Sequence, residues 1–389
     1  MSSESVGHTQ RALRRKMVAR DPGEPHRVST PLELLFDLCF VVAIAQAAAH
    51  LHHAVGEGHT LHGVLGFASA FFAIWWAWMN LTWFASAFDT DDVPYRLLVL
   101  AQIAGVLVLA AGVPRAFEEG DFGVITVGYT IMRVPLIALW LRAAHADPTC
   151  APTARRFALG LGLCQLGWWS LLIWPATARA YGFLVFALCE LSVPIWAERA
   201  GRTKWHPHHI AERYGLLTLI VLGESVLSAT QAVQGALDVN ANTYQLLALS
   251  AGGLLIVFSV WWIYFAHPAQ HVLSSLRAGF TWGYGHFPIF ASIAAIGAGL
   301  SVVADHAAGH AHLSRQAAGA AVAVPVAVYL ACVWLAHVRP HAHGGGVAIA
   351  FLLTIGGVLA APALPGGGVL AIGLLLAGLV TFLVATRRA

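Results

Sequence analysis

The sequence predicts an all-α, polytopic membrane protein, and three observations lead there. Of 389 residues, 58% are hydrophobic and only 11% charged, against about 25% charged in soluble domains. Apolar runs long enough to cross a bilayer as helices recur with short polar breaks. Lysine and arginine gather in alternate breaks, as cytoplasmic loops require.

The spans read, in order, as 32–54, 61–87, 95–113, 123–145, 155–174, 178–198, 209–235, 243–266, 279–304, 315–337, 346–361 and 367–386. These make about twelve transmembrane helices, with no soluble domain left over. Gly344–Gly346 and Gly366–Gly368 leave little loop around the last two. Residues 1–30 form a basic cytoplasmic tail. RALRRKMVAR is basic, but the apolar run beyond the polar stretch Asp21 to Ser29 is too long for a cleavable signal. With the N-terminus inside, only Arg115, Arg179 and Arg315 fall on outside segments, and Arg133 lies within a span. An even span count then puts both termini in the cytoplasm of an inner-membrane protein. Four of the five cysteines fall in spans and Cys150 in an inside loop, which argues against a disulfide framework.

The first span, TPLELLFDLCFVVAIAQAAAHL, carries most of the chemical interest. Thr30-Pro31-Leu32-Glu33 is a capping box with proline at the first helical position. Capping therefore explains Glu33, but not Asp37. Asp37 lies one turn deeper on the same face, between Phe36 and Phe40, where an ionisable group is a functional candidate. The second span brings Trp75, Trp76, Trp78 and Trp83, either as an interfacial belt or as helix packing. The break after it, FDTDDVPYR, crowds Asp89, Asp91 and Asp92 onto an inside turn. One aspartate can cap the helix that begins near Pro94; three order the loop or bind arginine or a divalent ion.

Further along, the fourth span holds Arg133 before Pro135, and the sixth holds Glu190 before Pro194. The seventh opens with Glu212 and Arg213 and carries Glu224 beside Gly223, twelve residues and roughly 18 Å further along. The embedded charges are then Asp37, Glu190 and Glu224 against Arg133. One ion pair is expected, Arg133 with Glu224 or Glu190, leaving a carboxyl that holds a proton or faces water. His286 stands inside the ninth span, in YGHFP. The other histidine clusters, His50, His52, His53, His59 and His62 in one outer loop and His306, His310 and His312 in another, lack a zinc-site pattern. No metal and no cofactor are expected.

The chain also repeats itself. Trp75-Trp76 and Trp261-Trp262, Glu33 and Glu212, and Val134-Pro135 and Val324-Pro325 stand about 180 to 190 residues apart. Six spans are an even number, so residues 31–206 and 207–389 read as two parallel six-helix repeats. Parallel repeats place a site between the halves near the midplane, where Asp37 and Glu224 would meet Arg133 or His286. A nucleophile elbow, a phosphate-cradling glycine loop, H-E-x-x-H and a redox cysteine pair are all missing.

LELLFDLCFVVAIAQ, WWAWMNLTWFASAFDTDDVPYR, the Arg133 span, HIAERYGLLTLIVLGES, WWIYF and YGHFP together resemble the bacterial low-temperature-requirement protein A (LtrA) family, in the same order from about residue 30 to 340. The resemblance carries over to Glu33, Asp37, Asp89, Asp91, Asp92, Arg133, His209, Glu212, Arg213, Glu224 and His286. Where the family often has an acidic residue after WWxYF, this chain has Ala266. The resemblance implies a multi-pass membrane protein linked by name to growth in the cold, and no particular reaction. FDLCFVVAIA is also similar to the F-S-D first helix of a potassium-channel family with six-span repeats, without the serine. The expectation is a carrier or channel for a small solute or cation, in contact with the lipid bilayer and not with nucleic acid. The alternatives are an intramembrane enzyme acting on lipid and a non-transporting protein of cold or envelope stress.

Overall fold

A computed structural model of the chain describes residues 13–21, 23–24, 27–238, 242–341, 345–364 and 368–387. The rest of the basic tail, the glycines at 344, 366 and 367, and Arg388 lie outside the described residues. The described chain forms twelve helices: α1 (Pro31–Gly56), α2 (Thr60–Phe88), α3 (Val93–Glu118), α4 (Gly123–Ala146), α5 (Ala151–Leu171), α6 (Ala176–Glu198), α7 (Pro207–Asp238), α8 (Thr243–Phe265), α9 (Leu276–Ala307), α10 (Arg315–Val333), α11 (Gly345–Ala360) and α12 (Gly368–Arg387). No strand occurs among the described residues. Eleven helices are long and apolar enough to cross a membrane; α5, which carries Arg155, Arg156 and Gln165, is the exception.

Local chemistry sets several helix starts. Thr30 and Glu33 form the capping box: the Thr30 amide donates to Glu33 Oε2 at 2.8 Å and the Glu33 amide to Thr30 Oγ1 at 3.3 Å. Asp92 caps α3 through the Tyr95 amide at 3.1 Å, with Pro94 in the first turn. Asn242, Ser275 and Ser314 cap α8, α9 and α10 in the same way. Prolines 114, 135, 194, 288 and 325 sit inside helices. Each removes one backbone donor, which packing within a membrane protein tolerates.

The chain divides into two compact units, residues 1–43 with 73–213, and residues 44–72 with 214–389. The first holds α3 to α6 whole, with the first half of α1, the second half of α2 and the start of α7. Its core is aromatic: Phe84, Phe88, Trp140 and Phe157 pack together, Trp140 stacking on Phe157 at 4.1 Å between ring centres. Gly128 lets α3 and α4 touch, since a Cβ there would stand 2.5 Å from the Leu109 amide nitrogen. The second unit holds the remaining lengths of α1, α2 and α7 with α8 to α12. Here α9 meets α10 at Gly299, where a Cβ would stand 2.2 Å from the Ala321 carbonyl oxygen. A π-helical turn, Trp334–Val338, extends α10.

Candidate functional site

Three helices, α1, α2 and α7, converge on an ionic cluster in the first unit. Asp37 of α1 is fully buried. Arg213 of α7, also fully buried, grips it with two bonds, Nε to Oδ2 at 2.8 Å and Nη2 to Oδ1 at 2.5 Å. Trp78 of α2 adds an indole N–H to Oδ1 at 2.6 Å. Arg213 Nη1 also reaches Glu33 Oε1 at 2.9 Å, and His209 Nε2 stands 3.1 Å from the same oxygen. Glu33 is therefore both the helix cap that its sequence suggests and one arm of an ion-pair network. Two carboxylates share one guanidinium and one imidazole. Glu212 faces elsewhere: its Oε1 accepts from the Ser29 amide at 3.3 Å.

Arg133 finds its partner in Glu190, not Glu224, at 2.8 Å, and both side chains are buried. Glu190 also accepts indole N–H groups from Trp76 at 2.8 Å and Trp168 at 3.0 Å, and Tyr129 bonds Arg133 at 2.8 Å. Trp75, Trp76 and Trp78 are buried. At least two of them thus serve as donors to carboxylates and form no interfacial belt.

The acidic turn sends its aspartates to separate arginines. Asp91, held at a φ of 45°, pairs with Arg96 at 2.7 Å. Asp92 takes Arg142 Nη1 at 2.8 Å and the Arg15 amide at 2.7 Å. Burial would raise the Asp92 carboxyl, but these bonds hold it below the ordinary range. Asp89 is less well served. Arg20 and Arg27 stand 3.6 and 4.0 Å away, and its Oδ1 is buried without a partner. Arg27 spends its guanidinium on the backbone oxygens of Ala85 and Ser86. Burial, with Glu33 as a second cause, pushes Asp89 up to about 6.

The second unit holds Glu224 and His286. Glu224 is 5% exposed. Its Oε1 accepts from Ser228 Oγ at 2.6 Å, its Oε2 is buried without a partner, and no basic side chain among the described residues comes within ion-pair reach. His286 is fully buried. Its Nδ1 donates to the Trp282 carbonyl at 2.7 Å, and its Nε2 faces His337 Nε2 at 3.0 Å and the Tyr264 hydroxyl at 3.1 Å. The outer histidine loops do meet a carboxylate, because Asp305 bonds His52 at 2.7 Å. Among the described residues no three His, Cys, Asp or Glu side chains stand together at metal-holding distance. All five cysteines are free.

Sequence reasoning placed Arg213 among the polar-core candidates but counted only Arg133 as a base embedded in a span. A helix start was read as an interface, yet the residue lies in the protein interior. The indole donors and the His337 and Tyr264 partners of His286 were missed. Their signal lies in which helices pack, which spacing along the chain does not reveal.

The sequence model described as "Bacterial low temperature requirement A protein (LtrA)" matches residues 28–386, and the chain belongs to this family. A protein of Rhizobium meliloti (strain 1021), described only as uncharacterized, is 26% identical over 340 residues, covering 82% of this chain and 80% of its own. No solved structure matches.

Proposed function

We propose that this LtrA-family protein is a carrier or channel for a small cation in the bacterial inner membrane, with Glu224 as the group that binds and releases the ion. The observation that supports this reading is the contrast among the buried acids. Glu33 and Asp37 both pair with Arg213, and Glu190 pairs with Arg133. Those carboxylates are held by several short bonds each and serve as fixed struts. Glu224 has one serine and, among the described residues, no cation. An uncompensated charge in a membrane span is expensive, so this carboxyl must hold a proton or a cation. A group that must hold an ion, and that no arginine occupies, is what a transport site needs. In the orientation given by the basic loops, both termini are cytoplasmic. The family's name concerns a low-temperature requirement, and on this reading the flux would serve growth in the cold.

Purified protein in liposomes, tested with sodium, potassium and a pH-sensitive dye, would show the flux directly. Glu224→Gln should abolish it while leaving the melting temperature in detergent unchanged. Asp37→Asn should instead lower the melting temperature, because Arg213 loses its bidentate partner. Full flux in Glu224→Gln would overturn the assignment.

A further inference from the structure

Beyond Glu224, the second unit contains a run of histidines that no buried ion pair or cap accounts for. His337 lies in the π-helical turn Trp334–Val338, a rare conformation that recurs at functional sites. It is 2% exposed. Moving outward, His341 donates from Nδ1 to the His337 carbonyl at 2.9 Å, and its ring stacks on His267 at 5.0 Å. Both outer histidines are partly exposed. Moving inward, His337 Nε2 meets His286 Nε2 at 3.0 Å, His286 meets Tyr264 at 3.1 Å, and the Tyr264 hydroxyl lies beside Thr218 of α7, whose own hydroxyl donates to the Tyr214 carbonyl at 2.9 Å. Thr218 is six residues before Glu224, and Ser225 follows it by two helical turns on the same face.

The hydrogens fix how this chain can act. His286 Nδ1 faces a carbonyl and so carries a proton. Its Nε2 is then the lone-pair side, and two donors, His337 Nε2–H and Tyr264 O–H, point at that single lone pair. If His337 carries its proton on Nε2, its Nδ1 is a bare acceptor, and that atom is buried without a partner. Tyr214, Tyr264, Trp282 and Phe290 surround the pair. No carboxylate, lysine or arginine appears among the described hydrogen bonds and ring contacts of either ring. The site is apolar enough that a charge would be held briefly, as suits a relay and not a store.

We propose that His337, His286, Tyr264 and Thr218 form the proton path between the cytoplasmic end of the second unit and Glu224, entered through water past the partly exposed His267 and His341. The inference rests on Glu224 being the ion-binding group and names the proton as its ion. A proton arriving at His337 Nδ1 makes that ring an imidazolium. The ring releases its Nε2 proton to His286 Nε2. His286 passes that same Nε2 proton to the Tyr264 oxygen as Tyr264 turns its own O–H to Thr218 and gives it that proton, and Thr218, turning from the Tyr214 carbonyl, releases its hydroxyl proton to water. Each group ends neutral, with one proton moved inward. The remaining step along α7, roughly 9 Å for six residues, exceeds hydrogen-bond reach and needs water.

His337→Gln tests this, because the glutamine amide can still donate toward His286 but cannot accept and pass on a proton. In liposomes with an imposed pH gradient, its proton flux should fall about a hundredfold, the range for losing a positioned proton-transfer group. Its melting temperature in detergent should match the parent's. In His337→Ala, imidazole in the solution on the cytoplasmic side should restore flux. Wild-type flux in His337→Gln would overturn the relay and leave the role of Glu224 standing. So would a His337→Ala that imidazole does not rescue. If the wild-type protein carries no ion of any kind, the role of Glu224 falls and the relay with it.

Discussion

Asp89 shows how far one residue's surroundings depart from its neighbours'. Three aspartates share the turn between α2 and α3, yet only Asp89 is buried with an oxygen unpaired. Its carboxyl is raised from 3.8 to about 6. A raised acid binds its proton more tightly in the folded state. The stability it contributes is therefore complete below pH 3.8 and is lost as pH rises through about 6. At pH 8 the ionised group costs up to about 3 kcal/mol relative to an unshifted one. Asp89→Asn should consequently raise the melting temperature in detergent at pH 8. The gap between variant and parent should narrow as pH falls from 7 to 4. Parallel melting curves across that range would show that Arg20 and Arg27 compensate Asp89 fully. The sequence marked this turn as carrying more acid than capping needs. It could not show which aspartate would be left unpaired, because Arg15, Arg20, Arg27 and Arg142 come from distant stretches.

At the scale of elements, the charged side chains join helices in pairs. Arg133 of α4 and Glu190 of α6 are 57 residues apart and bond at 2.8 Å inside a span. Arg133→Ala would leave Glu190 facing two indoles with no cation, which costs about 3–5 kcal/mol for a buried pair broken on one side. The melting temperature in detergent should drop accordingly. Arg133→Met with Glu190→Leu removes both charges together and should recover most of the loss. A single variant that melts like the parent would show that the pair contributes little to joining α4 to α6. The existence of these spans, the cap at Thr30 and the need of Arg133 for an acid were legible from periodicity and the expense of membrane charge. The choice of Glu190 over Glu224 was not, since both stand in spans at similar depth. Packing decided it, through Tyr129, Trp76 and Trp168.

At the scale of the whole molecule, topology turns on the one helix that does not look like a span. Eleven helices satisfy length and apolarity, and α5 does not. With α5 across the membrane, the count is twelve and both termini lie on the same side, which the basic loops would make the cytoplasmic one. With α5 lying at the surface, everything after it inverts. The side chains of α5 argue for crossing. At 21 residues it is roughly 31 Å long, enough for the hydrocarbon core. Its arginines stand in the second turn, where they reach the interface. Leu159, Leu163 and Leu166 are exposed along one side, as lipid contact requires, while Cys164 and Gln165 turn inward. The basic residues agree, since inversion would move Arg199, Arg202 and Lys204 outside. Ile173, 87% exposed just beyond α5, is the place to test it. In a cysteine-free background, Ile173→Cys should react in intact cells with a membrane-impermeant maleimide. A C-terminal fluorescent fusion of the same chain should glow, and a C-terminal periplasmic phosphatase fusion should be inactive. If Ile173→Cys is protected and the phosphatase is active, α5 does not span. The histidine path would then open outward, and its direction of proton delivery to Glu224 would reverse.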